Sequence, residues 1–143
     1  MGWFNAHLHL FKVGDKEYSD PEFELEDTLD ESRLTLGGAF RKSPGGFQYV
    51  YDMGDYWVHD VRLLKRKTYV GSDLPPACEG GERACPPEDV GGPWGYERFV
   101  EAISDPNHEE HEDMVEWAGG AFDPECFSWR QVNAALVLWW QRS

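Results

Sequence analysis

Phe47-Gln48-Tyr49-Val50-Tyr51-Asp52-Met53-Gly54-Asp55-Tyr56-Trp57-Val58-His59-Asp60-Val61-Arg62-Leu63 is the stretch that decides the fold. Aromatic residues occupy alternate positions from Phe47 to Tyr51, and apolar residues alternate again from Trp57 to Leu63, the period of a half-buried strand. Gly54-Asp55 between them marks a hairpin. Register selects the loop. A two-residue loop pairs Met53 with Tyr56, Tyr49 with Asp60 and Phe47 with Arg62, and so sets charges among the aromatic residues. A three-residue loop, Gly54-Asp55-Tyr56, pairs Met53 with Trp57, Tyr51 with His59, Tyr49 with Val61 and Phe47 with Leu63. One face is then apolar apart from His59, and the other carries Gln48 opposite Arg62 and Asp52 opposite Val58. A slip of one residue turns every side chain to the wrong face, so the three-residue loop is the expected one.

Upstream of the hairpin, residues 6–13 alternate well enough for a strand, Gly14-Asp15 marks a turn, and Lys16 to Tyr18 returns as a short strand. Residues 19–31 hold seven acids, Asp20, Glu22, Glu24, Glu26, Asp27, Asp30 and Glu31. They read as a solvated loop, because the ligand spacing of a calcium-binding hand is missing. A short helix is expected within 32–41.

Downstream, residues 71–95 contain six Gly and five Pro. That density excludes a regular element and predicts one long loop, and Cys78, Cys85 and Trp94 within it argue for order. The C-terminal third is helical. Phe99, Val100 and Ile103 recur at helical spacing from Tyr96. Asp105-Pro106 supplies an N-cap and a first-turn proline for a helix over 106–118, whose early Glu109, Glu110, Glu112 and Asp113 suit the positive end of the dipole. Gly119-Gly120 ends it. Ser128 and Gln131 form a capping box for a last helix over 129–141. That helix is apolar nearly all round, which places it at the centre of a core or in an interface. The expected fold is α+β: a small antiparallel sheet containing the 47–63 hairpin, packed against the C-terminal helices, in one domain over 1–143.

The length, 143 residues, suits one domain with a core that needs no staples. The formal charge of −14 repels phosphate backbones and anionic lipid, so nucleic acid is not an expected partner. Arg62, Lys65, Arg66 and Lys67 form one short basic run, read as the solvated end of a strand. Three cysteines, with no charged-then-apolar leader at Met1, point to a reducing, cytoplasmic setting. The longest apolar run, Ala134 to Trp140, is far shorter than the ~20 residues of a membrane helix, so no membrane association is expected.

Four constellations carry candidate chemistry. His7, His9, His59, Cys78 and Cys85 are zinc-competent ligand types, and His7 and His9 share a strand face, but Cys-x6-Cys is not the spacing of a zinc ribbon. The plainer account makes each histidine a hydrogen-bonded core residue and each cysteine a small hydrophobe. His108-Glu109-Glu110-His111 sets its histidines three apart where a zinc-protease helix needs four, and a solvated acidic turn explains it better. Cys78 or Cys85 as a nucleophile with His59 as base is opposed by Glu88-Asp89, which would raise a thiol pKa. A Cys78–Cys85 disulfide would steady the loop but does not suit a reducing compartment.

Gly2-Trp3 with His7-Leu8-His9-x-Phe11 opens a larger pattern. It continues with Tyr49-x-Tyr51-Asp52-x-Gly54-Asp55-x-Trp57-x-His59, then Cys85-Pro86-Pro87-Glu88-Asp89-x-Gly91-Gly92-Pro93-x-Gly95-Tyr96, then Trp117 and Phe122-Asp123-Pro124. Together these resemble the plasmid pRiA4b ORF-3-like family almost end to end. The resemblance implies an α+β domain associated with plasmids and mobile elements, and it implies no established activity. Some relatives carry a resolvase-like label, but no catalytic serine motif or basic DNA-binding element stands here to match it. Family members usually begin earlier, with a strand and most of a helix before Gly-Trp. A chain that starts at Met1 is therefore expected to be a shortened form or to have a different start, with an open sheet edge that favours a homo-oligomer.

The candidate binding residues are Tyr51, Asp52, Asp55, Trp57, His59, Cys85, Glu88, Asp89 and Tyr96. The plainer account gives them architectural duties: Asp55 caps the turn, Asp89 bonds loop amides and His59 ties the loop to the sheet. The sharper one has the hairpin tip and the Pro/Gly loop meeting over a pocket. Two functions follow. A non-catalytic protein-binding or regulatory module without cofactor predicts an exposed apolar patch at Trp139-Trp140. A zinc-dependent enzyme or zinc-stabilised domain is the alternative, and predicts stoichiometric metal.

Overall fold

A computed structural model describes residues 2–66 and 74–141 of the chain. Lys67 of the basic run and residues 71–73 at the start of the long loop lie outside them. The described elements are β1 (His9–Val13), β2 (Lys16–Ser19), β3 (Leu29–Asp30), α1 (Leu36–Lys42), β4 (Phe47–Tyr51), β5 (Trp57–Val61), α2 (Gly92–Ser104), α3 (His111–Trp117) and α4 (Trp129–Trp140). Strands and helices are both present in force, so the fold class is α+β. The strands form one sheet in the order β3-β2-β1-β4-β5. It is antiparallel except at β2–β3, which run parallel with Ser19 beside Asp30. The chain divides into two compact units. Among the described residues, 5–66 and 91–93 make the sheet unit, and 2–4, 74–90 and 94–141 make the helical unit.

In the sheet unit the hairpin alternates as its sequence demands, but its register differs from the expected one. Phe47 pairs with Val61, Tyr49 with His59 and Tyr51 with Trp57. The shift is two residues, so every side chain keeps its expected face. Gln48 stands opposite Asp60, to which its Nε2 donates at 3.1 Å, and Val50 stands opposite Val58. The loop is therefore five residues, Asp52 to Tyr56, and Asp52 is its cause. Its backbone sits at φ 59° and Tyr56 at φ 55°, both left-handed. The Tyr56 N–H donates to the Asp52 carbonyl at 2.6 Å, while the Asp52 carboxylate accepts from Gly54 N–H at 2.8 Å. Asp tolerates this conformation because its side chain satisfies the turn's own amides.

The core of this unit lies on the Phe47 face. Val13, Tyr18 and Phe47 are buried there with Ala39 and Phe40 of α1, and Phe11, Leu34 and Val61 pack at the edge. α1 carries Gly37-Gly38, poor helix formers. Thr35 caps it by accepting from Gly38 N–H at 3.1 Å, and Phe40 packs on Phe47 with ring centroids 5.2 Å apart. Tertiary packing thus supports a helix that propensity alone would not. The acidic stretch 19–31 is more structured than its composition suggests. Asp20 and Asp30 cap short 3-10 helices at Pro21–Phe23 and Glu31–Arg33.

In the helical unit, Phe99 and Ala102 of α2 are buried. Phe99 packs against Trp117 and Phe122 with centroids at 5.7 and 5.3 Å. α2 starts at Gly92, four residues before the expected Tyr96, with Pro93 in its first turn. α3 starts at His111 and not at 106. Asp105 caps only a turn, accepting from Asn107 N–H at 2.9 Å, and His108 Nδ1 then takes the Glu110 N–H at 3.1 Å. Each local bond completes a turn that the helix would have had to reopen. Gly120 N–H closes α3 on the Val115 carbonyl at 2.9 Å, and Ser128 caps α4 as expected.

Candidate functional site

Several of the sequence-selected residues meet within the sheet unit. Asp52, mostly buried, anchors the hairpin turn, and Asp52 N–H donates to the Leu8 carbonyl at 2.8 Å. His7 Nδ1 lies 3.6 Å from the second Asp52 oxygen, with its ring edge-on to Tyr51 at 5.9 Å. The capping duty expected of Asp55 belongs to Asp52. Asp55 reaches Gly91, accepting its N–H at 3.1 Å. Gly92, at φ 68°, approaches the Asp55 carbonyl so closely that a Cβ there would collide with it. The end of the Pro/Gly loop is thus fastened to the hairpin tip by backbone proximity, which explains why glycine stands at 92.

The Tyr49 face of the sheet is a ladder of rings. His9 lies 5.8 Å and His59 5.6 Å from the Tyr49 centroid, and Phe11 lies 5.1 Å from it. Burial, with help from Tyr51 and Glu31, pushes the Tyr49 phenol up to about 12. His59 Nδ1 sits 3.1 Å from the Tyr49 carbonyl. His9 Nε2 sits 3.2 and 3.1 Å from the two oxygens of Glu31, a partner that sequence reasoning missed because it lay in a stretch read as solvated loop. His9 and His59 occupy β1 and β5 with β4 between them. Strand spacing puts them about 10 Å apart, far beyond the span of one zinc ion's ligands.

The remaining selected residues lie in the helical unit. Trp3 Nε1 donates to the Pro86 carbonyl at 2.8 Å, Phe4 N–H to Glu88 at 3.2 Å, and Gly2 N–H to Cys85 Sγ at 3.5 Å. Cys78 is held through Asn133 of α4: its N–H donates at 2.8 Å, and its carbonyl accepts at 2.9 Å. Cys78, Cys85 and Cys126 are free thiols. Asp89 adopts φ 59° just before α2. Burial first, then nearby Glu125, raises the Tyr96 phenol above its usual range.

Among the described residues, a concavity opens in each unit. One, about 400 Å³, lies in the sheet unit over Phe11, Leu34, Ala39 and Phe47, with Asp20, Asp30 and Glu31 on its wall. The other, about 280 Å³, lies in the helical unit over Phe99, Met114 and Trp117, where Arg98 faces Glu110 at 3.7 Å. Among the described residues, α4 is an apolar helix with no buried residue. Trp129, Leu138 and Trp139 are 54%, 55% and 58% exposed, and Val137 and Trp140 are also exposed. No helix among the described residues is long and apolar enough to cross a membrane.

The comparisons with known proteins agree with the family resemblance. The chain is 39% identical over 139 residues to uncharacterised protein y4hQ of Sinorhizobium fredii, covering 95% of this chain and 71% of that one. It is also similar to the crystal structure of MM3350, a protein of unknown function from Methanosarcina mazei Go1. There the TM-score is 0.75 with 37% identity, over 92% of this chain and 75% of that one. The model of the plasmid pRiA4b ORF-3-like family matches residues 1–131, and the chain belongs to that family.

Proposed function

We propose that this chain is a non-catalytic protein-binding module, working alongside plasmids or mobile elements, that docks through α4 onto a second copy of itself. The exposed apolar run of α4 is the observation that carries the reading. In a chain of charge −14, α4 holds one charged residue, Arg130. Two copies meeting there oppose no carboxylates, whereas other faces of so acidic a chain repel. Leu138 and Trp139 are neighbours on one side of the helix, 55% and 58% exposed, and leave roughly 1 kcal/mol apiece to be gained, about 4 kcal/mol for two copies. Association costs roughly 4–15 kcal/mol, so the pair is weak and concentration-dependent. Tyr51, Asp52, Asp55, Trp57, His59, Cys85, Glu88, Asp89 and Tyr96 then serve to fix the turn, the sheet face and the loop.

Sedimentation across the micromolar range tests this. The native chain is expected to move from 16.4 kDa toward twice that mass, and Leu138→Glu to stay at 16.4 kDa with unchanged circular dichroism. A native chain that stays monomeric, or a variant that still pairs, overturns the reading. A zinc-stabilised domain or zinc enzyme is the second reading, supported by His7 Nδ1 standing 3.6 Å from Asp52 Oδ2. Elemental analysis separates the two: about one zinc per chain, lost in His7→Ala, would establish it.

A further inference from the structure

The concavity in the sheet unit has two chemically distinct parts. Its floor is apolar: the Phe11 and Phe47 rings, 6.2 Å apart, with Leu34 and Ala39 beside them. Its wall carries Asp20, Asp30 and Glu31, and no lysine or arginine lines it. The parallel pairing of Ser19 with Asp30 is what collects these acids, because it sets the ends of β2 and β3 side by side.

Each carboxylate is held in place by a bond that leaves it further acceptor capacity. Asp20 Oδ1 accepts from Glu22 N–H at 2.9 Å, Asp30 Oδ1 from Ser32 N–H at 2.9 Å and Ser32 Oγ at 2.6 Å, and both Glu31 oxygens face His9 Nε2. A carboxylate has two oxygens with two lone pairs each, so each group can accept again. The Arg33 guanidinium on Asp30 Oδ2 at 3.2 Å is 83% exposed, and such surface pairs are readily exchanged. A metal ion would use the wall and leave the aromatic floor bare. An anion would meet three like charges. A cation carried on an apolar body satisfies both parts, with the ammonium among the acids and the body on Phe11 and Phe47. A volume of about 400 Å³ suits a ligand of one ring and a short chain.

We propose that this groove binds a primary organic ammonium with an aromatic or branched apolar body, either a free amine or a lysine-bearing peptide. Amide-shift titration of the full chain tests it, using 2-phenylethylammonium, 3-phenylpropionate, 3-phenylpropionamide and the peptide acetyl-Lys-Phe-amide. The ammonium is expected to move the Phe11, Leu34 and Ala39 amides saturably and to bind at least about tenfold more tightly than the carboxylate, with the amide between them. Tighter binding of the peptide than of the amine assigns the site to a protein segment, and the reverse assigns it to a small amine. Ala39→Leu, which fills the floor, is expected to abolish the shifts. Asp20→Asn, an exchange at an unburied position that keeps the cap, is expected to weaken the ammonium several-fold and leave the carboxylate unweakened. Equal affinity for ammonium and carboxylate, no saturable shift, or an Asp20→Asn variant that binds as the native chain does overturns the proposal. The outcome is independent of self-association through α4, because Leu138→Glu leaves the groove intact.

Discussion

Asp52 combines a left-handed backbone with a carboxylate that takes the amides of the turn it begins, and few residues do both. Alanine at this position keeps neither the acceptor nor the tolerance of φ 59°. Asp52→Ala is therefore expected to cost about 2 kcal/mol, from a lost buried hydrogen bond and a strained backbone, while Asp52→Asn, which keeps both properties, costs less than half of that. Urea unfolding of the two variants checks the ratio. Tyr49 makes the second prediction. Burial, then Tyr51 and Glu31, raises its phenol to about 12 from an ordinary 10.0. A group whose folded pKa is raised contributes stability that is complete below its unfolded pKa and is lost as pH climbs through the folded one. Stability should fall between pH 10 and about 12, by no more than roughly 1–2 kcal/mol because the ring is only part-buried and its charge is screened by solvent. Tyr49→Phe should flatten that part of the fall, as read from urea midpoints on either side of the window.

The elements show which features of a sequence survive folding unchanged. Alternation from Phe47 to Val61 fixed the faces of the hairpin, and the structure keeps them. Register was not legible, because a slip of two residues leaves the hydrophobic pattern intact and only the conformation of Asp52 and Tyr56 distinguishes the choices. The start of α3 illustrates the same limit. Asp105-Pro106 has the form of a helix start, yet His108 accepting the Glu110 amide at 3.1 Å holds the chain in turns until His111. At α4 the cap was legible. Ser128 Oγ accepts from Gln131 N–H at a long 3.4 Å, so Ser128→Ala should sit at the low end for such caps, about 0.5–1 kcal/mol, measurable as a shift in urea midpoint.

For the whole molecule the dominant quantity is the charge of −14. If α4 pairs two copies, their long-range repulsion opposes the pair, while α4 itself brings no carboxylate to the contact. Added salt should therefore tighten association until the Debye length falls to about 10 Å near 0.1 M, and sedimentation at low and moderate ionic strength reads this directly. Loss of association with salt would instead place ion pairs in the interface. The family, the α+β class and the apolar character of α4 were all legible in the chain, because motif identity, periodicity and composition are local properties. The parallel seating of β3 on β2, the His9–Glu31 pair and the gathering of Asp20, Asp30 and Glu31 above Phe11 and Phe47 were not. Those depend on which distant segments come to lie side by side, and a run of acids reads as solvated loop until backbone pairing gives it a floor.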